Sequence, residues 1–276
     1  MPTTSVFKTP SFSVLVIVLL GFAALFAPII APYDPMVQDL KNSFLPPFLL
    51  GGTPEHLLGT DSLGRDLLSR IIFGARAAVY VSVIGSFFAA LIGVVLGLLS
   101  GYFGGALDAL ISRLVDAWMS FPSVLLCIVL AAVIGPGLET VIVAIIIIDW
   151  TRFCRVVRSE TIVQKSSDYV SAAIIGGLSP LKILIKEVFP NIAPLLVTLL
   201  TLEMGIAIVV EAILSFVGLS SSHIPTWGGL IQEGRLYVNQ AWWLMGAPVF
   251  CIVVVVLAFN LIGDSVRKRI DPVLRA

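Results

Sequence analysis

Charge is what this chain has least of. Asp, Glu, Lys and Arg supply 12% of its 276 residues, against 58% for hydrophobic types; a soluble domain carries about 25% charged residues. Too few polar groups remain to cover a water-facing globule, so the solvent implied is a bilayer. Acidic and basic residues balance at 17 each, and no basic stripe is present, which speaks against a nucleic-acid partner. Cysteine is just as sparse. Cys127, Cys154 and Cys251 lie in or beside apolar segments without CxxC spacing, so they read as small packing residues and not as a disulfide framework. The two histidines, His56 and His223, have no second ligand at metal spacing, and no zinc site is expected. No lysine follows a glycine, so there is no P-loop with which the chain could hold ATP phosphates by itself; HExxH and GxSxG are missing too. Neither a catalytic residue nor a bound cofactor is expected.

What is abundant is apolar length. A spanning helix needs about 20 mostly apolar residues, and six runs qualify: Ser11–Ala31, a stretch within Ala77–Leu107, Ala117–Gly135, Thr140–Val157, Ile192–Leu219, and a last stretch within Leu236–Gly263 starting near Trp243. Six crossings put both termini on one side. With the N-terminus inside, the inner segments hold Lys8, Arg113, Arg152, Arg155, Arg158, Lys165, Lys182, Lys186, Arg267, Lys268, Arg269 and Arg275, and the outer ones Lys41, Arg65, Arg70, Arg76 and Arg235. The excess of inner basic residues favours both termini in the cytoplasm. The chain then divides into an inner tail (1–10), a first span (11–31), an outer loop (32–76), a core of five spans (77–266) containing an inner loop (164–191), and a second inner tail (267–276). The first run also has the basic flank and apolar core of a cleaved signal peptide, although its uncharged length is long for one.

Within the second run, Gly85, Ala89, Gly93, Gly97 and Gly101 recur every four residues. That spacing lines small residues along one helix face, where a neighbouring backbone can come close; any single GxxxG would be expected by chance, five in register less so. Glu203 and Glu211 fall inside the fifth run, eight residues apart and so on roughly one face. Carboxylates at such depth are costly and need a partner or a proton. Two readings are open, a proton relay and structural hydrogen bonding between helices. Asp149 sits near the inner end of the fourth run, where an interfacial position suffices to explain it.

A polar interruption lies between two apolar runs at QKSSDYVSAAIIGGLSPLKILIKEVFPN, Gln164 to Asn191. Gly176 and Gly177 permit a sharp backbone turn, Ser179 before Pro180 suits a helix start, and Ala172 with Ala173 would let a partner approach closely. An amphipathic helix lying on the lipid surface would account for Leu181, Ile183, Leu184 and Val188 but leaves the small-residue face unused.

Longer motifs carry a resemblance. HLLGTDSLGRDLLSR (His56–Arg70) is similar to the segment before the second span of C-type permeases in the dipeptide/oligopeptide/nickel ABC importers. DWTRFCRVVRSE (Asp149–Glu160), EAILSFVGL (Glu211–Leu219), PTWGGLI (Pro225–Ile231) and the closing AFNLIGDSVRKRIDP resemble further segments of that family. The likeness covers nearly the whole chain, except the first dozen residues and much of 36–54. It implies an all-α, six-span bundle of the type I importer (MetI-like) class in a bacterial or archaeal cytoplasmic membrane.

On that resemblance, DYVSAAIIGGLSP (Asp168–Pro180) corresponds to the cytoplasmic EAA loop, whose coupling helix enters a groove of an ATPase subunit. Asp168, Tyr169, Ser171, Ala172, Ala173, Gly177, Leu178, Ser179, Pro180 and Pro190 become the expected docking residues. Ser171 stands where the family has Glu, and Glu187 and Phe189 stand where Ile and Leu are usual. The implied partners are a second permease subunit, two ATPases that use ATP and Mg, membrane lipid, and an outer substrate-binding protein meeting Gly59, Thr60, Asp61, Gly64, Arg65, Asp66 and Trp227. The implied cargo is short peptides, with nickel chelates, glutathione, opines and sugars as alternatives.

Overall fold

A computed structural model describes residues 10–219 and 224–270. Lys8 and the rest of the N-terminal tail before Pro10, His223, and the C-terminal residues 271–276 with Arg275 lie outside the described residues. Among the described residues every regular element is helical, and the only extended pairing is one isolated bridge between Thr60 and Asp66.

Ten α-helices appear in chain order: α1 Pro10–Ile30, α2 Leu67–Phe103, α3 Gly105–Met119, α4 Ser123–Ile134, α5 Leu138–Lys165, α6 Asp168–Ile175, α7 Pro180–Ile183, α8 Phe189–Phe216, α9 Trp227–Gly234 and α10 Trp243–Ile270. The centre is the pair α2 and α5, which run together along most of their length. α8 packs on both and on α10, and α1 closes the outside against α2 and α10. Among the described residues, four helical stretches are long and apolar enough to cross a membrane unaided: α1, α2, α7 through α8, and α10. The bent pair α3–α4 makes the fifth crossing and α5 the sixth. Asp149, Arg152 and Arg155 interrupt the apolar run of α5, yet it is the helix that the others enclose.

The small-residue stripe explains that central packing. Gly85, Ala89, Gly93, Gly97 and Gly101 are all buried. A Cβ on Gly97 would come within 2.7 Å of the Cys154 carbonyl oxygen and 2.8 Å of Val157 Cβ, and one on Gly101 within 2.7 Å of both the Arg158 carbonyl oxygen and Thr161 Cβ. α2 therefore lies directly on the backbone of α5, as small-residue faces allow in lipid.

Three boundaries differ from expectation. α2 begins ten residues before Ala77 because Asp66 caps it, accepting from Ser69 N at 2.8 Å; Arg70 and Arg76 belong to the helix and not to the outer loop. The third crossing is not one helix over 117–135. It bends by 85° between α3 and α4, where Pro122 supplies no backbone N–H and cannot continue the helix from Met119. The inner loop holds no separate second helix either. α7, a π-turn at Leu184–Val188, and α8 run on as one rod from Pro180 to Phe216. The π-turn precedes Pro190 and Pro194, whose missing N–H groups disturb the regular i to i−4 ladder.

Candidate functional site

At the inner end, the loop is held on one side and open on the other. Val170, Ile183, Leu184, Val188 and Ile192 are buried against Tyr102 at the end of α2, with Ala173 and Leu178 packed on that cluster. Lys165 Nζ donates to the Tyr102 carbonyl oxygen at 2.6 Å and lies over its ring, pinning the exit of α5. The opposite face presents Tyr169, Ile174, Leu181 and Ile185 to solvent, with Ile175 at 88% exposure. Contiguous exposed apolar surface rimmed by polar groups marks an interaction site. Ile183, Leu184 and Val188 thus serve the interior, and only Leu181 of the four apolar residues weighed for a lipid-surface helix faces out.

The remaining docking candidates gather on this turn. Gly177 has φ +76° with nothing within 4 Å of where a Cβ would stand, so its backbone needs glycine while its surroundings are empty. Ala172 is exposed, and Ser171 is exposed with its hydroxyl donating to the Ser167 carbonyl at 3.2 Å. Tyr169 donates from its hydroxyl to Gln164 Oε1 at 2.5 Å, and Asp168 sits in the first turn of α6. Ser179 occupies the position before α7 but makes no side-chain cap bond; its carbonyl accepts from Ile183 N at 3.0 Å instead. Pro190 is exposed in the first turn of α8, away from the others.

Midway through the bundle, the polar groups pair. Arg152 NH1 lies 3.3 Å from Glu203 Oε2 and joins α5 to α8. Ser215 Oγ donates to Glu211 Oε1 at 2.5 Å, and Thr226 Oγ1 donates to Ser215 Oγ at 3.1 Å, linking α8 to the start of α9. Glu211 is thereby occupied with interhelical hydrogen bonding. Asp149 is not at the inner end of its helix. At 1.5 Å per residue it lies about 16 Å from Leu138, half-way down the crossing, because α5 continues eight residues beyond Val157.

The outer loop is an ion-paired clasp. Arg65 Nε donates to Asp61 at 2.6 Å, and its NH2 to Glu233 at 2.7 Å; Arg70 NH1 reaches Asp61 at 2.5 Å and Glu233 at 2.7 Å. His56 Nδ1 lies 3.0 Å from Asp66. Leu45 N donates to Thr60 Oγ1 at 2.9 Å, and Gly59 and Gly64 take positive φ where the returning chain passes closest. Trp227 Nε1 donates to the Ile71 carbonyl at 3.0 Å. Thr60, Asp61, Arg65, Asp66 and Trp227 are all under 9% exposed, so their side chains are spent within the chain. Burial and pairing turn these side chains inward, and the loop's open surface is made by Val37, Leu40, Leu49, Leu50 and Leu57. Glu233, which completes the clasp, carried no signal in the sequence, since its partners Arg65 and Arg70 lie more than 160 positions away. Replacing Arg70 with Met leaves the buried Asp61 with Arg65 as its one charged partner, and breaking such a pair costs about 3 kcal/mol. A lowered thermal midpoint of the detergent-solubilised protein is the expected result, while Lys41→Met, at an exposed position, leaves it in place.

A paired loop at one end, an exposed apolar turn at the other and a helical bundle between them describe a membrane-spanning bundle with an interaction surface at one end. The chain belongs to the binding-protein-dependent transport system inner membrane components, whose family model matches residues 93–276. Residues 8–47 also match the N-terminal transmembrane domain of oligopeptide transport permease C. Among its relatives is the di/tripeptide transport system permease protein DppC of Pseudomonas aeruginosa, 38% identical over 95% of this chain and 87% of that protein. The dipeptide permease protein DppC of Haemophilus influenzae is 37% identical over 94% and 88%, and the probable D,D-dipeptide permease protein DdpC of Escherichia coli 35% over 94% and 86%. In fold, the chain is similar to an inward-facing MetNI methionine ABC transporter chain, with a TM-score of 0.63 at 19% identity over 74% of this chain and 98% of that one.

Proposed function

We propose that this chain is one of two permease subunits in an ATP-driven importer of short peptides, lying in the bacterial inner membrane with both termini in the cytoplasm. The observation that carries this reading is the exposed apolar turn at Ile174–Leu181. It protrudes from the inner end of the bundle and is continuous, through the π-turn, with the 37-residue rod that ends at Phe216. A partner gripping the turn would hold a lever reaching across the whole membrane. Two ATPase subunits, consuming ATP and Mg, would supply the grip. Their closure on nucleotide would tilt the rod and its tightly packed neighbours as a body, exchanging inward for outward access. An outer binding protein would deliver cargo to the rim formed by the apolar face of the loop at 37–57.

The peptide assignment follows the names of the relatives. Specificity among peptides, nickel chelates, glutathione and opines would reside mainly in the binding protein. The chain reconstituted with its partner permease, the ATPases and the binding protein is expected to accumulate labelled dipeptide only when ATP is supplied. Accumulation that persists without ATP but follows a proton gradient would replace this reading with a proton-coupled carrier.

A further inference from the structure

Between α4, α5 and α8 lies a small, partly open cavity, about 30 Å³, lined by Ser123, Cys127, Asp149, Arg152, Val210 and Leu214 among others. It is large enough for one water-sized group. Asp149 is 5% exposed and borders this space. Among the described residues it accepts no hydrogen bond, and its nearest cation, Arg152 Nε, is 4.0 Å away. The Arg152 guanidinium is turned instead to Glu203, whose carboxylate lies two helical turns along α8 from Val210 and on the same side. Two carboxyl groups and one guanidinium thus share one spot. Two buried carboxyls beside a single fixed cation need a second cation or a proton to balance them.

A second observation shows that this face is not turned to lipid. The Arg152 side chain is 41% exposed at mid-depth of the crossing, about 21 Å along α5 from Leu138. A guanidinium at that depth is tolerated only where it meets protein or water. The α4–α5–α8 face must therefore border an aqueous route or a second subunit and not lipid.

We infer that Asp149, with Glu203 behind Arg152, forms a cation-accepting station in the translocation route that receives the ammonium group of the passing substrate. The inference rests on the reading of the chain as a conducting subunit for peptides. A peptide's terminal ammonium fits the space, supplies the missing charge, and offers three donors to carboxylate oxygens. Because Arg152 already holds Glu203, the station binds one cation and not two, and the attraction is shared with a fixed counter-charge so that release is possible.

The test is thiol labelling in the assembled transporter. Ser123→Cys is introduced at the cavity rim in a background of Cys127→Ala, Cys154→Ala and Cys251→Ala. Labelling rates are then compared for an ethylammonium and an ethylsulfonate methanethiosulfonate at neutral pH. The ammonium reagent is expected to react at least ~10-fold faster after correction for intrinsic reactivity, a ratio set by local potential as in other charge-lined clefts. Asp149→Asn is expected to erase the preference and Arg152→Gln to enlarge it. Saturating dipeptide, presented by the binding protein under turnover, is expected to slow the ammonium reagent. Equal rates for the two reagents, or no labelling by either throughout the ATP cycle, would overturn the proposal. A preference that emerges only at alkaline pH would overturn it as well, showing that the station is filled by a proton. Absence of peptide uptake by the unmodified complex would count against the import reading, while the labelling ratio still decides whether the station exists.

Discussion

Gly177→Arg is expected to abolish ATP-dependent uptake while leaving the protein inserted in the membrane at close to normal levels. The site has φ +76°, a conformation that costs an L-residue about 1–2 kcal/mol. No neighbouring atom lies within 4 Å of the added Cβ, so the side chain extends into solvent and the bundle is undisturbed. At a docked interface the same guanidinium would be buried without a partner, a penalty of about 3 kcal/mol, or roughly 100-fold in affinity. Gly177→Ala carries the backbone strain alone and is expected to retain most of the uptake. Measuring uptake and co-purification of the ATPases for both variants separates strain from obstruction. Full activity of the arginine variant would remove the inner turn as the place where force enters.

Gly93→Val is expected to do the opposite, destroying the fold before function can be measured. A Cβ there would stand 2.5 Å from Phe153 Cβ and 2.9 Å from the Cys154 amide nitrogen, and closer still to the Trp150 carbonyl oxygen. A backbone carbonyl and amide cannot move aside as a side-chain tip does, so α2 and α5 must separate. Overpacking a well-filled core costs about 1–3 kcal/mol when side chains can adjust, and the upper end is the expected minimum here. Folded yield after detergent extraction should fall sharply. Gly21→Val, in α1 with nothing within 4 Å of its Cβ, provides the matched control and is expected to extract normally. Equal yields would show that the stripe is not what joins the two helices.

The two substitutions also mark how far the sequence could be read. The spacing of Gly85, Ala89, Gly93, Gly97 and Gly101 announced a close contact because helical periodicity is local: residues four apart share a face whatever lies opposite. It could not name α5 as the occupant of that face, since nothing in the stripe records which backbone fits it. The glycine turn at 176–177 was legible for the same reason, and the last span was placed within the uncharged run from Leu236, where the helix begins at Trp243. The clasp shows the converse. Asp61, Arg65 and Asp66 stood out as a motif, yet Arg65 is also held by Glu233, and a partner so remote leaves no trace in local spacing. Asp149 was misjudged because apolar content alone ended α5 at Val157, whereas its contact with α2 carries the helix on to Lys165.

Solvent and helix content were thus settled by composition: with so little charge, the chain has to satisfy its backbone internally and bury itself in lipid, and helices do that without help from distant residues. Direction, burial and pairing were not. Whether a charged side chain is a surface contact, a brace or a station for cargo depends on what the folded chain brings within about 4 Å of it, and only three-dimensional closure puts Arg70 beside Glu233 and Arg152 between Asp149 and Glu203.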